Sequence, residues 1–452
     1  MIAGVDVGTS GVKVTRFDLE SRSLTEERHP YPFRIRGDFV DVSSLATVVQ
    51  RIVSGLLHDP EVEAVGLTSM APVHVMLDRE MNPLVAFHYS STLGADLLNY
   101  PEEEIRAATL NPSSSQMLPH RLLWLRKERA NVYHKVSKVV DLNGYIFGVI
   151  AGERLEELVQ DKITAFEWGT FRWPSIEPWG EFLDGDLHLL PPLVSPEHWV
   201  ELYGKALSIG TVDSVAAALG SVGIEGKEGF ASMGSTLCLG VPSRSPSKVP
   251  GIYNDLYFDD LFLPNGCNSQ FSDVLDKVRE LLGEDIDVEN VDLRPGLPLL
   301  LPFLKGERSP FMDPKAAGVL FGLSWETSRS DVMRAAVHSM AYMEAMMIST
   351  LQSESEFNSV RSGGGASFSS LLRLCASLTG IPHFKLRYSP SSLGAALVAG
   401  NSIGTLTYRR ITEVLPEPSS KIDPDPSLSS HLEYYRLFQS LYYTLRPLFR
   451  GP

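Results

Sequence analysis

Two short stretches, one in each half of the chain, constrain the fold more than any other feature of the sequence. Residues 4–19 read GVDVGTSGVKVTRFDL, an apolar strand, a turn of glycine, threonine and serine, and a second apolar strand that carries Lys13. Residues 228–241 read EGFASMGSTLCLGV, which repeats the order of strand, small-residue turn and strand. A unit that returns after about half the chain indicates two similarly built halves.

The length of the chain agrees with this division, because 452 residues exceed what one hydrophobic core usually holds. We expect an N-terminal domain over residues 1–222 and a C-terminal domain over residues 223–452. Hydrophobic residues make up 43% of the chain and charged residues 21%, so both domains are expected to be folded and not disordered.

The charge balance excludes two classes of partner. With a formal net charge of -15, the chain lacks the clustered lysine and arginine needed to bind nucleic acid or an anionic membrane. No apolar run approaches the length of a membrane span and the N-terminus lacks a secretory pattern, so we expect a cytoplasmic protein. Three widely separated cysteines without metal-ligand spacing predict neither a disulfide framework nor a zinc site.

Hydrophobic periodicity predicts strands and helices along the whole chain. A proline- and tryptophan-rich region at 174–205 predicts an irregular connection, and the glycine of IGTVDS predicts a turn before an alanine-rich helix. The other predicted elements are strands at 2–7, 11–18 and 62–69 and helices at 43–57, 120–141, 143–152, 331–352, 367–380, 392–400 and 431–449.

Two of the glycine-centred turns can offer backbone N–H groups and hydroxyls to phosphate oxygens. The first follows Asp6 at a strand end, and the second lies in MGSTLCLG. Neither is a Walker loop, which needs a GK[ST] ending and a following helix, and taken alone the first turn favours an ordinary hairpin. The small residues are Gly8, Thr9 and Ser10 in the first turn and Gly234, Ser235 and Thr236 in the second.

Two further turns lie next to predicted helices. SGGGAS places Gly363, Gly364 and Gly365 before a helix, where a planar ligand or a phosphate can approach the backbone, or where the loop is simply flexible. IGTVDS places Asp213 at a helix start. That carboxylate is either a helix cap or a general base that accepts a hydroxyl proton during phosphoryl transfer.

Taken together, these motifs resemble the FGGY carbohydrate kinases, a family that includes xylulokinase, glycerol kinase and gluconate kinase within the actin-like ATPase superfamily. The resemblance runs nearly end to end. Its most specific part is GVLFGLSWETSRSDVMRAAVH, residues 318–338, preceded by the GERSP segment at 306–310. RLLWLRKE matches the family's N-terminal signature, with Arg121 where the family has lysine, and SSLGAALVAG matches its closing helix.

The resemblance implies an α/β fold of two RNase H-like domains flanking an interdomain cleft, with ATP and Mg²⁺ as cofactors. It implies Asp213 as the catalytic base, and Asp6 and Asp213 as residues that hold Mg²⁺ through bound water. The two small-residue turns would bind phosphates, and Gly363, Gly364, Gly365 and Ala366 would line the adenosine. Lys13 is expected to be structural.

The sequence departs from the family at the sugar site. Met70, Ala71 and Pro72 replace a Gln-Met-His run, and YSSTLG replaces a Trp, Asp and Arg set, so the choice of sugar must differ. Arg373, Ser377 and His338 also depart from the pattern, and their roles stay open. The candidates for substrate contact are Met70, His74, His88, Tyr89 and Asp213.

The sequence therefore predicts an ATP-dependent kinase that phosphorylates a hydroxyl of a ketose, polyol or sugar acid. The expected partner is that small carbohydrate, with a homodimer as a further possibility. Two alternatives stay open: a catalytically idle sugar or nucleotide sensor, and an actin-like ATPase that acts on a protein partner.

Overall fold

Strands and helices alternate along the chain in a computed structural model that describes residues 1–33, 35, 37–98, 100–283 and 287–449. The end of the predicted C-terminal domain, 450–452, lies outside these residues. The first half of the chain contains β1 (Ile2–Val7), β2 (Gly11–Phe17), β3 (Leu24–Pro30), α1 (Val42–His58), β4 (Ala64–Ser69), β5 (His74–Leu77), β6 (Pro83–Phe87), α2 (Glu102–Thr109), α3 (Leu118–Glu128), α4 (Ala130–Tyr133), β7 (Lys138–Val140), α5 (Leu142–Ala151), β8 (Gln160–Asp161), α6 (Lys162–Phe166), β9 (Phe171–Arg172), β10 (Glu177–Pro178), α7 (Gly180–Leu183), β11 (Leu193–Val194), β12 (Trp199–Leu202), β13 (Lys205–Val212) and α8 (Asp213–Val222).

The second half contains fewer strands and longer helices. Its elements are β14 (Gly229–Met233), β15 (Leu237–Gly240), β16 (Tyr253–Leu256), β17 (Phe262–Cys267), α9 (Ser272–Leu282), β18 (Leu299–Leu301), β19 (Val319–Phe321), α10 (Arg329–Gln352), β20 (Val360–Gly363), α11 (Ser369–Thr379), β21 (His383–Lys385), α12 (Pro390–Ser402), α13 (Ile411–Val414), β22 (Ser420–Ile422) and α14 (His431–Phe449).

The chain divides into two units whose main border falls between Ile224 and Glu225. Unit 1 also takes in Asn254–Phe262 and Ser389–Pro416, which the sequence analysis assigned to the C-terminal domain. Unit 2 consists of Glu225–Tyr253, Leu263–Tyr388 and Glu417–Pro452.

Each unit is built on a sheet with the same strand pattern. In unit 1 the order is β3-β2-β1-β4-β13-β12, where β1, β4 and β13 run parallel and the outer strands run antiparallel to their neighbours. Six strands of unit 2 lie in the order β17-β15-β14-β20-β21-β22 with the same sequence of antiparallel and parallel pairs. The prediction of two similarly built halves is confirmed.

Helices cover both faces of the unit 1 sheet. Side chains alternate along β1, so Ala3, Val5 and Val7 enter a core shared with α1 and α5. Gly4 faces the opposite way, where α12 lies so close that a Cβ on Gly4 would sit 1.8 Å from the carbonyl oxygen of Ser392. In unit 2, α9, α10 and α11 pack together around a second core.

Two of the predicted elements were wrong. The helix predicted at 120–141 ends at Glu128, and the segment continues as α4 and the strand β7, because Val139 and Val140 pair with β5. The turn predicted at IGTV is the end of β13, where the register with β4 shifts between Ser208 and Thr211. Gly210 lies in this bulge with φ +65, a backbone conformation that favours glycine.

The region 174–205, predicted to be irregular, contains short elements including β11 and β12. The predicted helices at 43–57, 331–352, 392–400 and 431–449 are confirmed as α1, α10, α12 and α14. No helix in the described part of the chain is long and apolar enough to cross a bilayer.

Candidate functional site

In unit 1, three parallel strands bring the predicted residues to one edge of the sheet. Val7 of β1, Ser69 of β4 and Val212 of β13 lie side by side where these strands end. The turn of residues 8–10 follows β1, and Asp213 follows β13. Ligand sites in α/β sheets form at this carboxyl edge, so the topology explains why residues distant in sequence lie together.

The first turn is a hairpin, as its sequence alone favours. The N–H of Gly8 donates to the carbonyl of Gly11 (3.2 Å), and the Tyr31 hydroxyl donates to the carbonyl of Gly8 (3.1 Å). Gly8 and Thr9 are half-buried and Ser10 is exposed. The turn is therefore held by neighbouring groups while its tip remains open to a ligand.

Asp6 and Lys13 face each other at the base of this hairpin. They are paired in the register of β1 and β2, and Lys13 Nζ lies 3.3 Å from Asp6 Oδ2. Asp6 is only 3% exposed, and its Oδ1 has no hydrogen-bond partner among the described residues. The ion pair fits the structural role expected for Lys13, and it also brings a positive charge into the site.

Asp213 begins α8, and the charges of Asp6 and Lys13 affect its pKa. Burial, and then the nearby Asp6 carboxylate, raise the pKa of Asp213 to about 7, while the Lys13 charge opposes this rise. Val212 occupies the N-cap position, with no side-chain hydrogen bond to the helix. Asp213 is therefore not the N-cap residue of α8, and its raised pKa suits a carboxyl that accepts a proton near neutral pH.

A buried carboxyl that the sequence analysis missed lies behind Asp213. Asp141 accepts hydrogen bonds from the backbone N–H of Val73 (3.0 Å) and Leu142 (2.8 Å) and from Trp168 Nε1 (3.0 Å). Burial raises the pKa of Asp141 to about 7, and the charge of Asp141 contributes to the raised pKa of Asp213. The only local signal for Asp141 is its place between a short apolar stretch and a helix, which is typical of an N-cap.

Of the other predicted substrate residues, Met70 directly follows the end of β4. Its N–H donates to the carbonyl of Val7 at 3.0 Å, and its side chain is 2% exposed. Tyr89 contributes its carbonyl, which accepts from Gln116 Nε2 (2.9 Å), and its ring lies 4.3 Å from that of His88. Like Asp141, Gln116 was not among the residues that the sequence motifs predicted.

His74, His88 and Arg121 lie close together. His74 pairs with Phe87 across β5 and β6, and the Arg121 guanidinium lies 5.0 Å from the centre of the Phe87 ring. Arg121 Nη2 donates to the carbonyl of His88 (3.2 Å). Arg121 stood out in the sequence only as a departure from the family pattern, and the structure buries it completely.

Unit 2 places the second turn and the glycine loop at one edge of its own sheet. β14 and β20 are parallel with Ser232 paired to Gly363, so the turn after β14 and the loop after β20 begin side by side. The Ala366 N–H donates to the carbonyl of Met233 (3.0 Å), and a Cβ on Gly364 would lie 2.3 Å from the same oxygen. Glycine at 364 is required by this contact and by its φ of +110.

Backbone hydrogen bonds fix the conformation of the second turn. The Gly234 N–H donates to the carbonyl of Thr236 (2.9 Å), and the Ser272 N–H donates to the carbonyl of Gly234 (3.1 Å). A Cβ on Gly365 would meet nothing within 4 Å, so this side of the loop is open. The helix after the loop begins at Ser369, where Glu289 Oε2 accepts the backbone N–H (2.8 Å). Glu289 thus occupies the helix N-terminus.

The GERSP segment supports the second turn. Glu307 Oε1 accepts from the backbone N–H of Ser269 (2.7 Å) and Arg308 (2.8 Å), and Arg308 Nη2 donates to the carbonyl of Asn268 (2.7 Å). Asn268 Oδ1 in turn accepts from the N–H of Leu237, which follows the turn (2.7 Å). Burial raises the pKa of Glu307 to about 8.

The three departures in the C-terminal half make structural contacts. Arg373 Nε donates to Asp425 Oδ2 (2.8 Å), and Ser377 Oγ accepts from the Asp425 N–H (2.9 Å). His338 is buried against the His431 ring, 4.6 Å away, and burial lowers its pKa to about 3.

Comparison with known sequences gives matches along the chain. Residues 229–403 match the FGGY family of carbohydrate kinases, C-terminal domain. A xylulose kinase of Staphylococcus epidermidis is 22% identical over 98% of this chain and 96% of that protein. A glycerol kinase of Streptococcus agalactiae is 34% identical over 23% of this chain and 22% of its own length.

Solved structures share the fold. The xylulose kinase of Lactobacillus acidophilus superposes with a TM-score of 0.87 at 18% identity, covering 99% of both chains. The gluconate kinase of the same organism gives 0.86 at 18% identity, covering 99% of this chain and 98% of that one. These likenesses confirm the predicted α/β, actin-like ATPase fold. Residues 229–403 therefore match the C-terminal domain of the FGGY family of carbohydrate kinases, and the chain is similar to a xylulose kinase nearly from end to end.

Proposed function

We propose that the chain transfers the terminal phosphoryl group of ATP to a hydroxyl of a small carbohydrate, which is a ketose, a polyol or a sugar acid. The observation that carries this proposal is Asp213, a carboxyl with a pKa of about 7 at the carboxyl edge of the unit 1 sheet. A base with a pKa near the working pH is matched to accept a hydroxyl proton. The match of residues 229–403 to a domain of carbohydrate kinases supports the reaction class.

In the proposed reaction, Asp213 takes the proton as the carbohydrate oxygen bonds to the γ-phosphorus. The bond from that phosphorus to the bridging oxygen breaks, and ADP leaves with the electron pair. The Lys13 charge, 3.3 Å from Asp6, offsets part of the negative charge that collects at this edge. Alignment and charge stabilisation therefore supply most of the rate enhancement.

We assign phosphate binding to the two small-residue turns, whose backbone N–H groups and hydroxyls suit anionic oxygens. We assign the adenosine to residues 363–366, because the open side of Gly365 and the close backbone contact of Gly364 leave room for a flat ligand. The negative charge of Glu289 at the start of α11 disfavours a phosphate there, which agrees with assigning the adenosine, and not a phosphate, to this loop.

The residues at the unit 1 edge fit a hydrated Mg²⁺ ion. Asp6 Oδ1 is buried and has no hydrogen-bond partner among the described residues, and carboxylate oxygen is a ligand that Mg²⁺ prefers. Asp6 and Asp213 would hold the ion through water. When bound, Mg²⁺ supplies positive charge that neutralises the phosphate oxygens.

The retained site argues against the two alternatives. An idle sensor has no need for a carboxyl whose pKa is raised to about 7 beside an Asp–Lys pair. An ATPase that acts on a protein partner does not account for the carbohydrate kinase domain at 229–403. Because ATP is the phosphoryl donor, we place the reaction in the cytoplasm. The homodimer remains a prediction.

A panel of ketoses, polyols and aldonic acids with coupled detection of ADP tests the function. At least one compound is expected to raise ADP release well above the rate without sugar. If no carbohydrate does so, while ATP still binds, the sensor hypothesis replaces the kinase. Hydrolysis without sugar that a protein stimulates would favour the ATPase.

The rate is expected to fall on acidification. Protonated Asp213 cannot accept the hydroxyl proton, so kcat should decline through pH 7 and drop about tenfold per unit at lower pH. Steady-state rates from pH 5.5 to 9 measure this limb. The residual kcat of Asp213→Asn should not show this pH dependence. If the variant and the wild-type protein show the same pH dependence, a group other than Asp213 causes the titration.

Replacing Lys13 by methionine should weaken ATP use and shift the pH profile. Loss of the positive charge paired with Asp6 leaves this edge more negative, which is expected to raise KM for ATP roughly tenfold. Because the Lys13 charge opposes the rise in the pKa of Asp213, the acid limb of kcat should move to higher pH. Exposed Lys127→Met provides the control and should change neither value. An unchanged profile in Lys13→Met would restrict Lys13 to a structural role.

A further inference from the structure

Arg121 and His74 form a buried polar pair in unit 1 that the proposed chemistry does not use. Both side chains are 0% exposed. Within the described residues, Arg121 Nε and Nη1 and both ring nitrogens of His74 have no hydrogen-bond partner. Toward the described residues, the guanidinium makes one hydrogen bond, from Nη2 to the carbonyl of His88 (3.2 Å).

Burying a guanidinium with so few partners costs folding free energy, because a buried charge normally requires an ion pair or several hydrogen bonds. No described carboxylate lies within 4 Å of Arg121, although the Asp38 charge acts on it from farther away. The Phe87 ring, 5.0 Å from the guanidinium carbon, compensates only part of the cost. His74 cannot supply a negative charge. The two unsatisfied nitrogens of Arg121 could therefore donate to an anionic ligand.

Side chains in contact link the pair to Asp141, whose charge acts on the predicted catalytic base. His74 lies edge-on to Trp168, with ring centres 5.5 Å apart, and Trp168 Nε1 donates to Asp141 at 3.0 Å. Asp141 is near enough to Asp213 for its charge to act on that carboxyl. The buried cation and the predicted base are thus both near Asp141 in unit 1.

We propose that the carbohydrate is a sugar acid whose carboxylate is held by Arg121 and hydrogen-bonded by His74, while a hydroxyl of the same molecule reaches Asp213. This rests on the proposed kinase function and selects one of its three substrate classes. A ketose or a polyol would bring no charge to the guanidinium. Since neither side chain is exposed, binding must displace the groups that cover them.

The test compares an aldonate with its aldonamide, which keeps the carbon chain and every hydroxyl but lacks the charge. In the wild-type protein, kcat/KM for the aldonate should exceed that for the aldonamide by roughly 10- to 150-fold, the range for hydrogen bonds to charged groups. In Arg121→Met this ratio should fall close to one. Arg129→Met is the matched control, because Arg129 at the end of the same helix also stacks on aromatic rings, and it should keep the wild-type ratio.

Each outcome separates this inference from the kinase function. A wild-type ratio near one with good turnover overturns the sugar-acid assignment and leaves the kinase intact. Absence of sugar-dependent ADP release for every compound overturns the kinase. In that case, calorimetry without ATP still decides whether the aldonate binds and the aldonamide does not.

If Arg121→Met does not fold, Arg121→Lys serves as the second variant. It keeps the positive charge and should retain most of the preference for the aldonate over the aldonamide. A ratio near one in Arg121→Lys, with the wild-type ratio high, would mean that the preference depends on hydrogen-bond geometry, and it would contradict a contact based on charge alone.

Discussion

Replacing Asp213 by asparagine is expected to lower kcat by roughly 100- to 10,000-fold, the usual contribution of a positioned general base. Asparagine keeps the shape of the side chain but cannot accept the hydroxyl proton. The affinity for ATP, measured by calorimetry, should change little, because the base acts on the carbohydrate and not on the nucleotide. Coupled ADP detection at saturating carbohydrate measures the loss.

The same substitution should stabilise the protein, and the gain should depend on pH. Burial raises the pKa of Asp213 to about 7, above its value in the unfolded chain, so the folded state binds the proton more tightly. The wild-type protein therefore loses stability as pH rises from about 4 through 7. The asparagine side chain carries no charge at any of these pH values, so the melting temperature of the variant should exceed that of wild type at pH 8 and by less at pH 5.

The control for both effects is Glu201→Gln, which removes an exposed carboxylate from β12, at the edge of the same sheet. It should leave kcat and the melting temperature unchanged. Near-normal turnover in Asp213→Asn would contradict the assignment of the base. A stability gain of equal size at pH 5 and pH 8 would show that the carboxyl titrates in its ordinary range.

The sequence predicted those parts of the site that follow directly from local patterns. Asp6, the hairpin after it and the helix that Asp213 begins are visible as apolar alternation interrupted by small residues. Asp141 and Arg121 were not selected, because their importance depends on burial. Asp141 looks like a helix cap in the sequence, and Arg121 looks like one of several basic residues on an amphipathic helix. Only the packing around them shows that burial raises the pKa of Asp141 and that Arg121 has no carboxylate within 4 Å among the described residues.

The prediction of secondary structure from local patterns failed for a similar reason. The helical pattern of 120–141 continues past Glu128, but pairing with β5 takes Lys138–Val140 into a sheet. Gly210 resembles a turn glycine, whereas it lies in a bulge where a Cβ would be 1.6 Å from the carbonyl oxygen of Leu67. In both cases a partner from a distant part of the chain decides the local structure, and tertiary pairing overrides local propensity.

The close contact between β1 and α12 leaves no room for a side chain at Gly4. α12 lies across the face of β1 that carries Gly4, and its own Gly394 would place a Cβ 1.9 Å from the carbonyl oxygen of Ala216 in α8. Small residues on both sides allow the backbones to approach. Since α12 comes from Ser389–Pro416, this contact joins the distant segment to unit 1.

Gly4→Ala is expected to destabilise unit 1 by at least about 3 kcal/mol, the upper range for overpacking of a close-packed interior. The new Cβ would lie 1.8 Å from Ser392 O and 2.5 Å from Ala396 N, and because both are backbone atoms, relief requires α12 to move. Gly55→Ala is the matched control. Gly55 is exposed within α1 with nothing within 4 Å of a Cβ, so alanine there should stabilise by roughly 0.5–1 kcal/mol. Urea unfolding followed by tryptophan fluorescence measures both. A Gly4→Ala protein as stable as wild type would mean that α12 does not pack on β1 at this distance, and the carboxyl edge that holds Asp6 would then need a different support.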